Sequence, residues 1–185
     1  MSETKLRLRG FTKVQIVDSD SGTVVGDSGW VQNKITKVGF HNMAVRGAAG
    51  VSGAEYIPAK GLGLGYFDNV NFNSLKADFD AAPEAIPEGA GPNRGNGRIM
   101  TGDVNCNSIL ATVANGAILR FAATWPASAN FIVADTIING IGIFNNTATL
   151  QSADANKMLA GTTFAESAWS QDQEVRATYE LKFSQ

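Results

Sequence analysis

The sequence predicts an all-β protein, an antiparallel β-sandwich of jelly-roll-like form with one short helix and long loops. Three observations point there. The chain ends on a strict alternation in which Val175, Ala177, Tyr179, Leu181 and Phe183 face one way and Glu174, Arg176, Thr178, Glu180 and Lys182 the other. A period of two with one apolar face marks an antiparallel strand lying on a core. Second, Asn115-Gly116 separates two apolar runs. That pair favours a tight two-residue hairpin, because both residues tolerate positive φ. Third, turn residues recur along the chain, with 20 glycines, while charged residues make up only 17%, below the roughly 25% usual for soluble domains. Few charges among many small polar residues suit a loop-rich β protein, and also a surface that becomes buried in an assembly.

At 185 residues the chain is expected to be a single domain spanning 1–185. Its first element is a strand or arm over about residues 1–17, with Gly10 expected at a bend or bulge. Lys5, Arg7 and Arg9 alternate there with Leu6 and Leu8, which fits the wet face of a strand better than a free basic arm. Asp18-Ser19-Asp20-Ser21-Gly22 is a turn cluster, Thr23-Val24-Val25 a partner strand, and Asp27-Ser28-Gly29-Trp30 a second turn with an aromatic anchor. Ile35 to Val45 is the helix candidate, with Ile35 and Val38 on one face, Gly39 weakening it and Gly47 a stop. Residues 57 to 67 read as a strand carrying Leu62, Leu64 and Tyr66 between glycines.

From about 68 to 98 the pattern dissolves into Pro, Gly and Asn, an excursion long enough to be functional rather than a plain connection. Ile109–Val113 and Ala117–Trp125 form the Asn-Gly hairpin. Strands follow at Phe131–Val133, Ile137–Phe144, Met158–Phe164 and the C-terminal segment, making roughly eight or nine in all, with no internal repeat.

Chemistry is sparse. His41 is the only histidine and Cys106 the only cysteine, so an intrachain disulfide is excluded and a His/Cys metal cluster has too few ligands. Neither residue lies in a recognisable nucleophile motif. Asp18-Ser19-Asp20-Ser21-Gly22 begins like a calcium loop but places Gly22 at the fifth position and Gly29 at the twelfth, where oxygen ligands are needed. Gly61-Leu62-Gly63-Leu64-Gly65 lacks the third glycine of a dinucleotide fingerprint. The reading is therefore not an enzyme, with no catalytic residue, no cofactor and no metal. A net charge of −2 gives no footprint for nucleic acid. No apolar run approaches the ~18 residues of a membrane helix, and Met1-Ser2-Glu3-Thr4 lacks the layout of a signal peptide. The expectation is a soluble protein made in a reducing cytoplasm, with no membrane partner. Trp30, Trp125 and Trp169 are candidates for an aromatic platform that binds sugars.

Several segments in order carry a resemblance: Val24-Val25-Gly26-Asp27-Ser28-Gly29-Trp30, Gly39-Phe40, Ile137-Ile138-Asn139-Gly140-Ile141-Gly142-Ile143-Phe144-Asn145, Lys157-Met158-Leu159-Ala160-Gly161-Thr162-Thr163-Phe164, and Trp169-Ser170-Gln171-Asp172-Gln173 before the final alternating strand. Together they resemble a group of tailed-bacteriophage virion structural proteins, some of which look like capsid decoration, or cement, proteins. The likeness covers most of the chain outside the Pro/Gly-rich middle, and Gly61-Leu62-Gly63-Leu64-Gly65 departs from the group's Gly-Thr-Gly pattern.

The resemblance implies a protein of the outer capsid surface, made in the host bacterial cytoplasm, that stabilises the shell by bridging neighbouring major capsid subunits. Its partners would be the major capsid protein and copies of itself, as a dimer or trimer. The residues expected to make those contacts are Leu6, Arg7, Leu8 and Arg9 in the N-terminal strand and Ile86, Pro87 and Arg94 in the excursion. The alternative is a tail or fibre component binding a host-surface glycan through the tryptophans.

Overall fold

The computed structural model describes residues 7–35, 39, 61–65, 98–100, 104–127, 135–144 and 158–184. Ten strands lie among them: β1 (Arg7–Asp18), β2 (Val24–Asp27), β3 (Val31–Ile35), β4 (Gly61–Gly65), β5 (Arg98–Met100), β6 (Cys106–Val113), β7 (Gly116–Trp125), β8 (Thr136–Phe144), β9 (Met158–Trp169) and β10 (Gln173–Ser184). Every pairing is antiparallel. One hydrogen-bonded path runs β5-β4-β8-β9-β3-β1-β10-β7-β6, with β2 beside β1, and the sheet curls into a half-barrel.

The curl has a local cause in β3. Its residues Val31, Gln32 and Asn33 pair with Thr12, Phe11 and Gly10 of β1, whereas Lys34 and Ile35 pair with Gly161 and Ala160 of β9. A strand that changes partner halfway bends the sheet where the β8–β9 part meets the β1–β10–β7 part. The two halves then share one core. Val14, Ile16, Phe121, Trp125, Val175, Tyr179 and Leu181 contribute from one side, and Leu62, Leu64, Ile138, Ile141, Ile143 and Trp169 from the other.

Strand β10 follows the predicted alternation. Val175, Ala177, Tyr179 and Leu181 are buried and Phe183 is half-buried, while on the other face Arg176 is exposed but Glu180 is buried. It lies between β1, paired from Arg7↔Ser184 to Asp18↔Gln173, and β7, paired from Val175↔Trp125 to Ser184↔Gly116. The alternation of Phe121, Ala123 and Trp125 into the core of β7 also holds.

Two polar groups that enter the core are met by backbone carbonyls. Thr12 donates its hydroxyl to the Thr178 carbonyl at 3.0 Å, and the Trp169 indole N–H donates to the Gln173 carbonyl at 2.9 Å. The Asp18 turn is a hairpin, as expected. The Gly22 amide donates to the Asp18 carbonyl at 2.9 Å, and the Asp18 Oδ1 accepts from the Ser21 amide at 2.7 Å and its hydroxyl at 2.6 Å. Gly22 itself takes φ 69°, a conformation open to glycine.

Five sequence expectations change. Gly10 forms no bulge, since its register with Leu181 is continuous. It is glycine because a Cβ there would lie 2.8 Å from the Asn33 Nδ2. The hairpin turn between β6 and β7 sits one residue earlier than Asn115-Gly116. Val113 pairs with Gly116, so Ala114 and Asn115 form the turn and Gly116 opens the return strand. Strands β3 and β5 were not foreseen. Trp30 is 55% exposed rather than an anchor. No helical element is defined among the described residues: Ile35 of the expected helix ends β3, and Gly39 is its one other described residue. The excursion over about 68–98, apart from Arg98 in β5, and the expected strand at Phe131–Val133 lie outside the described residues.

Candidate functional site

The expected contact residues divide sharply. Leu6, Ile86, Pro87 and Arg94 lie outside the described residues. Arg7, Leu8 and Arg9 open β1, paired with Ser184, Phe183 and Lys182 of β10. Leu8 is half-buried against the core, whereas Arg7 and Arg9 are exposed. From Arg7 onward the basic segment is thus part of a strand internal to the chain's own sheet, and its arginines project from the outer face.

Strand parity assembles that face. Arg7, Arg9, Phe11 and Lys13 of β1 share it with Glu174, Arg176, Thr178, Glu180 and Lys182 of β10 and with Arg120 of β7, since directly opposed residues point the same way. Arg9 stands opposite Lys182, and Glu180 stands between Phe11 on one side and Arg120 on the other.

Glu180 organises the electrostatics here. Its side chain is only 5% exposed. Oε1 accepts from the Arg120 Nε at 2.8 Å and Nη2 at 2.5 Å, and the Lys182 Nζ lies 3.1 Å from Oε2. Lys182 also sits 5.0 Å above the Phe11 ring, within cation–π range. Burial is the largest single influence on the Glu180 carboxyl and works against its charge, but the hydrogen bonds and charges of Arg120 and Lys182 outweigh it and hold the pKa below the ordinary value of 4.5.

The surrounding ion pairs are more exposed: Lys13 with Asp27 at 3.0 Å, and Arg176 with Glu174. Arg7 and Arg9 add positive charge beside Lys182, so cations predominate on this face although the whole chain carries −2. Like charges directly opposed across a ladder are destabilising, and here Lys182 is offset by its contacts with Glu180 and Phe11.

Other candidate chemistry is not brought together. Cys106 is buried on the core face of β6 and His41 lies outside the described residues. Among the described residues no group of three or more His, Cys, Asp or Glu is placed to hold a metal, and no helix is long and apolar enough to cross a membrane. Trp125 and Trp169 are core residues, leaving Trp30 alone exposed, so the three tryptophans form no common platform.

Sequence reasoning missed Lys182 as the neighbour of Arg9, and Arg120 and Arg176 as further cations of the same face. The wet parity of β10 was legible, but its register against β1 and β7 was not. Comparison with family models, with curated proteins and with solved structures finds no match for this chain.

Proposed function

We propose that the protein is a structural component of a tailed-phage particle that decorates the outer capsid and bridges neighbouring major capsid subunits through the outer face of β1, β10 and β7. Two things support the reading: the resemblance carried by the turn and core segments, and the character of this face. The observation that carries it is the placement of Arg9 directly opposite Lys182 beside exposed Arg7, on the face that also carries Lys13, Arg120 and Arg176. Cations collected on a hydrogen-bonded sheet form a preorganised surface for an acidic partner, with little left to order on binding. A jelly-roll-like sandwich is the finer form of the same proposal, supported by the two sheet halves sharing one core. On a shell, many copies bind at once, and contacts that are weak singly become strong together.

The test is co-sedimentation of the purified protein with matching heads stripped of it. Saturable binding that weakens as salt rises, and that falls at least tenfold in an Arg7→Glu/Arg9→Glu double variant, supports the proposal. Absence of binding by the wild-type chain, or binding indifferent to the double charge reversal, removes it.

A further inference from the structure

Among the described residues the path of strands ends at β5 and β6, and the two ends are built differently. β5 is three residues long, a length that offers little template for another strand. β6 is eight residues long, pairs with β7 in unbroken register from Cys106↔Ala123 to Val113↔Gly116, and contains no charged residue and no proline. It therefore lacks the short length, bulge, charge or proline by which sheet edges are ordinarily protected. Residues 107–113 are all exposed, among them Ile109 at 54%, Leu110 at 70% and Val113 at 42%.

The core continues toward this edge. Leu181 pairs with Leu119 and Leu119 with Leu110, so three leucines form one row across β10, β7 and β6 on the core face. Leu181 is buried, Leu119 half-buried and Leu110 exposed, so the row runs out of cover at its last member.

We propose that β6 is a homodimer edge, on which a second copy of this chain pairs antiparallel about a two-fold axis through Leu110. Self-pairing suits this edge because a strand without charges meets itself without like-charge repulsion. A two-fold axis is also the commonest symmetry for such contacts. Each face must continue across the junction, so only residues of equal parity are opposed. With Leu110 on the axis, Ile109 faces the counterpart of Ala111, Ser108 that of Thr112, and Asn107 that of Val113. The leucine row then runs unbroken through both copies, with each Leu110 covered by the other. Arg120, beside Ile109 on the outer face, looks across the junction toward the row of Ala111 and Ile118 and not toward its own counterpart. The inference does not rest on the virion reading, because dimerisation is measured with no capsid present and either can fail alone.

Analytical ultracentrifugation of the full chain tests it. The wild type is expected to sediment as a dimer, and Leu110→Lys, which sets two ammonium groups on the axis, as a folded monomer with an unchanged β-sheet circular dichroism spectrum. Leu110→Cys supplies a second readout. Cα atoms opposed across an antiparallel pair lie about 4.5–5.5 Å apart, inside the roughly 4.4–6.8 Å that a disulfide spans, so mild oxidation should link the copies. Val113→Cys, six residues out of register with itself, should not cross-link. A wild-type monomer, a dimer indifferent to Leu110→Lys, or cross-linking of Val113→Cys as rapid as that of Leu110→Cys overturns the proposal.

Discussion

Arg120 and Glu180 face each other across β7 and β10, with the guanidinium donating twice to the Glu180 Oε1 through Nε at 2.8 Å and Nη2 at 2.5 Å. The pair is asymmetric: Glu180 is almost wholly buried while half of Arg120 reaches solvent. Removing one partner of a buried ion pair costs roughly 3–5 kcal/mol when the remaining charge is stranded. Here Lys182 stays on the other oxygen, and the exposure of Arg120 screens part of its contribution. Arg120→Ala is therefore expected to lower the unfolding free energy by about 1–2 kcal/mol. Urea denaturation checks this, and a loss above the stranded-charge range would mean that Lys182 does not hold Glu180 as described.

The same carboxylate gives the protein an acid limb. Asp18 and Asp27 share its direction. Hydrogen bonds from the Ser21 hydroxyl and amide lower the Asp18 pKa. For Asp27, burial pushes upward but is outweighed by the Gly29 amide, Lys13 and Gln15. Each group ionises at a lower pH when folded, so between the two pKa values the unfolded chain binds more protons and stability rises with pH. The contribution is present above the ordinary values of 4.5 for Glu180 and 3.8 for the aspartates, and is lost as pH falls through the folded values. Thermal melts stepped downward from neutral pH should show a falling Tm below that point, with a shallower slope in Glu180→Gln. An equal slope in the variant would assign the acid limb to other groups.

How far the sequence disclosed this arrangement depends on where the information resides. The dry face of β10 was legible because Val175, Ala177, Tyr179 and Leu181 alternate with polar residues, and local pattern is enough for parity. The burial of Glu180 was not legible. Its parity is that of the wet face, and it is covered only because Phe11 and Arg120, distant in sequence, flank it in register. β3 escaped notice because Val-Gln-Asn-Lys-Ile alternates weakly and serves two partners in turn. Of the expected contact residues, Arg7 and Arg9 could be assigned to a strand's wet face from spacing alone, but what stands beside them is set by pairing between the chain's two ends.

Tyr179 offers a prediction of opposite sign. Its ring is fully buried, and its hydroxyl has no hydrogen-bond partner among the described residues. A buried hydroxyl without a partner forfeits its hydration and gains nothing in return. Tyr179→Phe, which keeps the ring, is expected to leave stability unchanged or raise it by about 1 kcal/mol in urea denaturation. Burial also raises the phenol pKa well above 10.0. Above that pH the unfolded chain releases a proton that the folded one keeps, so stability falls as pH rises. The substitution should flatten that alkaline decline, and a destabilisation beyond about 1 kcal/mol would instead reveal a partner for the hydroxyl.

Glycines on β7 and β2 should respond in opposite ways to a single added methyl. Gly116 is held between Val113 of β6 and Ser184 of β10, and a Cβ on it would stand 1.8 Å from the Phe183 carbonyl oxygen. That neighbour is backbone in a paired strand, so it cannot rotate aside as a side chain would. Either the end of the β6–β7 hairpin or the tail of β10 must shift. Gly116→Ala is expected to cost about 3 kcal/mol, at the upper end of ordinary overpacking, and to loosen the hairpin that carries β6. Gly26 is the control. A Cβ there meets the Ile16 side chain at 3.5 Å, ordinary van der Waals contact. Gly26→Ala should stay within about 1 kcal/mol of the parent, on the stabilising side, because it restricts the unfolded chain. Paired urea titrations decide the matter, and equal midpoints for the two variants would show that the approach of Phe183 to Gly116 is not a constraint on the fold.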